Sequence, residues 1–128
     1  MTDEKAPIRL AGVVLDAPDP RALADFYCRL LGWEIGTDEE NWVTAVGPSG
    51  STELSFQSEP KFRRPSWPTE TDQQQMMIHL DFEVPDLDSA HQHAVSVGAR
   101  PMEWQPQPDV RVYADPVGHV FCLFLEGS

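Results

Sequence analysis

An α+β fold made of two copies of a β-α-β-β(-β) unit is what three observations predict. A strand followed by a capped helix occurs twice, each helix opened by aspartate and stopped by glycine. The two halves keep a nearly constant spacing: Pro18 and Asp19 recur 67 residues on as Pro85 and Asp86, and Val43, Ala45 and Leu54 recur 69 on as Val112, Ala114 and Leu123. The chain has 128 residues, the length of one domain with one core.

The elements follow in order. Residues 10–17, LAGVVLDA, are short, rich in β-branched side chains and closed by Pro18, which predicts a strand. Asp19 then supplies an N-cap and Pro20 the first helical position. Leu23, Phe26, Tyr27, Leu30 and Leu31 recur at helical spacing, so they form one buried face, and Gly32 ends it. Trp33, directly after the stop, is expected in the core. WVTAVGP and TELSFQ read as two strands joined by the turn-rich GPSGS.

The second half retraces this path. HLDFEV alternates His79, Asp81 and Glu83 with Leu80, Phe82 and Val84, a strand with one polar face. Pro85-Asp86 opens a helix with the apolar face Leu87, Ala90, Ala94 and Val97, ended by Gly98. VRVYAD, the turn Pro116-Val117-Gly118 and HVFCLFL complete the copy. Residues 8–58 and 76–126 are thus the two modules of a single domain, joined by a polar, proline-rich linker over 59–75.

Charge narrows the function. Nine basic residues stand against 21 acidic ones, a net charge of −12, and the second half alone has 2 against 10. Phosphate backbones and anionic membrane surfaces are repelled by such a field, so neither nucleic acid nor membrane is an expected partner. MTDEKAP lacks the basic-then-apolar pattern of a signal peptide, and no apolar stretch is long enough to span a bilayer. The two thiols, Cys28 and Cys122, lie in apolar runs and are expected buried and reduced, which points to the cytoplasm. No Gly-x-Ser-x-Gly elbow or phosphate-cradling glycine loop is present.

Three segments in order, D-P-x-x-L-A-x-F-Y-x-x-L-L-G-W, HLDFEVPDLDSAHQHAVSVGAR and DPVGHVFCL, resemble the vicinal oxygen chelate superfamily, in particular its glyoxalase-like, bleomycin-resistance-type branch. The resemblance runs from about Leu10 to Leu125. It implies paired βαβββ modules in a curved, cup-shaped mixed sheet, often completed as a homodimer. In metal-dependent members the cup carries up to four ligands, one on each of four strands, and by motif those positions here are Gly12, Glu53, His79 and Cys122. Gly12 has no side chain and Cys122 stands where glutamate is usual, so no metal is expected. The alternative is a divalent metal such as zinc, nickel, iron or manganese, for which Glu53, His79 and a Cys122 thiolate form a three-ligand set.

Two function classes follow. One is a metal-independent small-molecule binding protein with Glu53, His79, Phe56, Tyr113 and Cys122 lining the cup, Trp42 and Trp67 at its rim and Gln57 nearby, suited to a cationic, partly aromatic ligand. The other is a lyase, isomerase or dioxygenase-like enzyme that uses His79 and Glu53 as its catalytic pair, with or without a metal. A further set, His79 and Asp81 on one strand face with His119 as a remote third ligand, is weighed against Asp81 simply orienting His79. His91 and His93 lie two apart on a helix, point to different faces and are expected to be solvated.

Overall fold

A computed structural model describes residues 6–127. Module one runs β1 (Gly12–Ala17), α1 (Pro20–Leu31), β2 (Glu34–Glu39), β3 (Trp42–Val46) and β4 (Glu53–Ser58). Module two runs β5 (Leu80–Val84), α2 (Leu87–Ser96), β6 (Arg100–Pro101), β7 (Val110–Ala114) and β8 (Val120–Leu125). Each module is a four-stranded sheet, ordered β1-β4-β3-β2 and β5-β8-β7-β6. The pairs β1/β4 and β5/β8 are parallel and the others antiparallel, so both sheets are mixed.

The helices begin and end where their caps dictate. The Asp19 carboxylate accepts from the Ala22 N–H, Pro20 opens α1, and Gly32 takes the left-handed conformation that lets its N–H reach the Cys28 carbonyl. Asp86 caps α2 through the Ser89 N–H, and Gly98 turns the chain back at φ +114°. Trp33 packs against the core and lies so close to Gly47 that any side chain there would collide with its ring.

Two strands escape the hydrophobic pattern. β2 is the polar, exposed run EIGTDE at a sheet edge, and β6 has only two residues. β1 starts at Gly12 rather than Leu10, and residues 59–79 form one long connection without helix or strand.

The apolar faces of both sheets and α1 meet in one core. Tyr27 on α1 stacks on Phe56 of β4 at 5.8 Å and meets Phe121 of β8 edge-on at 6.2 Å. Phe121 in turn stacks on Tyr113 of β7 at 5.3 Å. Polar ties cross between the modules as well. The Tyr27 hydroxyl donates to Asp115 at 2.7 Å, and His119 Nε2 donates to the Asp16 carbonyl at 2.7 Å. His93 Nε2 reaches the Arg29 and Leu30 carbonyls at the end of α1.

The repeat needs one correction. Both parallel ladders pair residues 41 apart, Gly12 with Glu53 and Asp81 with Cys122, so a single offset relates them. If Cys122 matches Glu53, the match of Gly12 is Asp81, not His79. Val43 and Val112 are not equivalent either: Val43 faces the helix-side core, and Val112 faces the opposite side of its sheet with Cys122.

Candidate functional site

The face of the second sheet turned away from the helices carries the candidate site. On β8, period-two alternation sends Phe121 and Leu123 into the core and leaves Val120, Cys122 and Phe124 on the other face. On β5 it sends Leu80, Phe82 and Val84 inward and presents Asp81, with His79 one same-face step earlier. His79 Nε2 lies 3.1 Å from Asp81 Oδ1, and Asp81 stands directly across from Cys122. The ligand atoms of His79, Asp81 and Cys122 all lie within 4.8 Å of one another.

These residues open onto a cleft of about 340 Å³, completed by Gln107, Asp109, Val110 and Phe124. Its lining holds two carboxylates, no lysine or arginine, and one aromatic wall. Cys122 is 7% exposed. Burial first, and then the neighbouring Asp81 carboxylate, push its thiol up to about 11. At neutral pH it is a protonated thiol and no nucleophile.

Trp67 roofs part of this face. It packs with Met76 and Met102 against Val112, Val120 and Cys122. Its indole N–H donates to the Trp104 carbonyl at 3.2 Å, and the two indoles lie 5.3 Å apart. The connection between the modules therefore folds back as a cover beside the cleft.

The other sequence-predicted site residues lie elsewhere. Glu53 and Trp42 sit on the open face of the first sheet, Glu53 exposed and paired with Gly12, and Glu53 is not among the donors that converge with His79 and Cys122. A side chain added at Gly12 would meet the Glu53 carbonyl oxygen at 2.9 Å, so no ligand fits there without spreading β1 from β4.

Phe56 and Tyr113 do not line this cleft, and Tyr113 borders instead the groove beside α2. Both are fully buried on the helix sides of their sheets. The reason is strand parity: Phe56 is three residues from Glu53, and Tyr113 is next to Val112, the residue that faces Cys122. Their opposite-face neighbours Ser55 and Val112 are the ones turned outward.

The remaining histidines have structural partners. His91 Nδ1 is hydrogen-bonded to the Tyr113 hydroxyl at 2.7 Å rather than solvated, and His93 ties the two helices together. His119 packs on Phe62 at 4.7 Å and does not join the His79 cluster. A larger groove, about 540 Å³, runs between α2 and residues 101–108. Its walls include Pro101, Pro106 and Pro108, and no set of metal-ligating groups converges there among the described residues.

Sequence reasoning passed over Asp109, Gln107, Val110 and Phe124. Phe124 was legible in the alternation of VFCLFL. Gln107 and Asp109 sit on a loop whose path no periodicity encodes.

No helix among the described residues is long and apolar enough to cross a membrane, and both cysteines are free. Among curated proteins there is no match. Solved structures resemble the chain along most of its length. A glyoxalase/bleomycin resistance protein/dioxygenase family enzyme from Burkholderia phytofirmans PsJN has a TM-score of 0.69 at 17% identity, covering 92% of this chain and 98% of that one. An antibiotic binding protein from Streptomyces sp. CB03234 has a TM-score of 0.61 at 17% identity, covering 95% and 98%. A lactoylglutathione lyase from Agrobacterium tumefaciens has a TM-score of 0.62 at 17% identity, covering 95% and 96%. At these identities the likeness is one of fold, two βαβββ modules in mixed sheets. The family description of a glyoxalase-like domain matches residues 12–124, nearly the whole of both modules, and the chain belongs to that family, within the vicinal oxygen chelate superfamily.

Proposed function

We propose that this protein binds a small organic cation in the cleft of its second sheet, as a binding protein of the glyoxalase/bleomycin-resistance type. The observation that carries the reading is the composition of that cleft. Asp81 and Asp109 supply negative charge with no lysine or arginine in the lining to neutralise it, while Val110 and Phe124 supply apolar and aromatic surface. A planar cation satisfies both, its charge toward the carboxylates and its ring against Phe124. Similarity in fold to an antibiotic binding protein is consistent with this use of the scaffold.

Chemistry by the four-strand chelate has little support. Gly12 offers no donor and has no room for one, and Glu53 is not among the donors that converge with His79. A Glu53–His79 acid–base pair within one chain lacks support for the same reason. A homodimer would cover the open side of the first module, where Val14 and Val46 are 46% and 44% exposed, together with Met77 and Ile78 of the connection, which are more exposed still. Two free cysteines suit a reducing compartment such as the cytoplasm.

The test compares benzamidinium with benzoate, matched in shape and opposite in charge, by calorimetric titration of the full chain. Benzamidinium is expected to bind and benzoate not. An Asp81→Asn, Asp109→Asn double variant should weaken benzamidinium about tenfold, the scale of about 1.4 kcal/mol. Equal affinity for the two probes, or no change in the double variant, overturns the reading.

A further inference from the structure

Three metal-ligating side chains of different chemistry converge in the second module: the His79 imidazole, the Asp81 carboxylate and the Cys122 thiol, with ligand atoms all within 4.8 Å. The backbone accounts for the convergence. Asp81 and Cys122 are directly opposed in the β5/β8 ladder, and His79 is two residues before Asp81, so all three point from one face of two hydrogen-bonded strands. A tetrahedral ion bonded at about 2.0 Å to nitrogen or oxygen and about 2.3 Å to one sulfur holds its donors about 3.3–3.5 Å apart. His79 and Asp81 lie at 3.1 Å, close to that spacing, and every donor of the set is within 4.8 Å of the others.

We infer that His79, Asp81 and Cys122 form a site for one borderline-soft divalent cation, of the zinc and cobalt class, held within a single module of one chain. A nitrogen, an oxygen and a sulfur donor together favour such ions over magnesium or calcium, which take oxygen donors. The set keeps His79 and Cys122 of the four positions marked by the family resemblance and adds Asp81, which lies outside them. Gly12 contributes nothing and Glu53 takes no part. On binding, the Cys122 thiol gives its proton to solvent as the sulfur–metal bond forms, with no change of oxidation state. The fourth position faces the cleft, where water or a donor atom of a small molecule completes the coordination. The inference deepens the reading above at the same cleft, yet the two are separable. The organic cation needs the carboxylates, whereas the metal also needs the thiol.

Cobalt(II) chloride titrated anaerobically into the full chain tests this, with a phosphine keeping the thiols reduced. One cobalt per chain is expected, with a thiolate-to-cobalt charge-transfer band and the intense ligand-field bands of a tetrahedral site. Cys122→Ser should lose the charge-transfer band, and His79→Ala and Asp81→Asn the one-to-one complex. Glu53→Gln and Cys28→Ser should keep both. Zinc chloride should displace the cobalt, and excess magnesium chloride should not. No thiolate band in the unaltered chain, a band that survives Cys122→Ser, or one lost in Glu53→Gln each overturns the inference. Benzamidinium titrated into the unaltered, metal-free chain, in the absence of cobalt, separates failure here from failure of the cation-binding reading. If Cys122→Ser does not fold, His79→Ala and Asp81→Asn with native circular dichroism take its place: loss of the one-to-one complex in both supports the site, and its survival in either overturns it.

Discussion

Asp115 shows how one buried side chain serves the fold rather than the site. It is 2% exposed, accepts the Tyr27 hydroxyl on one oxygen, and on the other accepts the N–H groups of Val117, Gly118 and His119. Burial raises its pKa, and the Tyr27 hydrogen bond, the His119 charge and the backbone donors pull it part of the way back. A carboxyl raised in the folded state holds its proton to higher pH than in the unfolded chain, so its contribution to stability falls as pH climbs from the ordinary carboxylate range through the raised value. Tyr27→Phe deletes a donor to the carboxylate, raises the pKa further and enlarges that fall. It should destabilise the protein by about 1–3 kcal/mol at neutral pH. The loss should be smaller at acid pH, at and below the ordinary carboxylate range, where the carboxyl takes up its proton, and urea unfolding at neutral and acid pH measures it. An equal loss at both would show that Asp115 does not titrate across the window.

At the scale of elements, the helices were legible and the edges were not. An aspartate cap, an apolar stripe and a glycine stop located both α1 and α2 to within a residue or two. β2 is exposed except at Ile35, its one apolar contact with the core, and carries no alternation to detect. Beyond the two residues of β6 the ladder is continued by the Met102 N–H, which donates to the Val112 carbonyl at 3.0 Å, and by a side chain. The Gln105 amide donates to the same carbonyl and accepts from the Val112 N–H, both at 2.8 Å, at the edge of β7. Gln105→Ala removes these two hydrogen bonds and a third, from the same amide to the Met102 carbonyl at 2.8 Å, and should destabilise by about 1–3 kcal/mol. The sharper readout is amide exchange, where Val112 should lose protection while Phe121 in the central strand keeps it. Unchanged exchange at Val112 would mean that water replaces the side chain without loss. The site divides the same way. His79 and Cys122 were marked by motif, and parity alone sends Phe56 away from Glu53 and into the core. The opposition of Asp81 and Cys122 needs cross-strand register, which the connections and the packed core set and no single strand encodes.

For the whole molecule, the question is whether two repeated modules make two folding units. Their sheets share no ladder, yet α1 of the first module is packed by residues of both. Tyr27 touches Phe56 from its own module and Phe82 and Phe121 from the other, and Phe26 reaches Phe121 as well. The Tyr27–Asp115, His119–Asp16 and His93–Arg29 hydrogen bonds cross the same boundary. Neither module has a complete apolar core without the other, so the domain should unfold in one step. Phe121→Ala is the test, because that ring is fully buried and belongs to the second sheet while packing on the first module's helix. Its removal should destabilise by about 3–5 kcal/mol. Far-ultraviolet circular dichroism and the fluorescence of Trp33, kept as the sole tryptophan of the chain by Trp42→Phe, Trp67→Phe and Trp104→Phe, should shift together to lower urea. If Trp33 reports an unchanged midpoint while the circular dichroism splits into two transitions, the modules fold separately and the shared aromatic core is not what joins them.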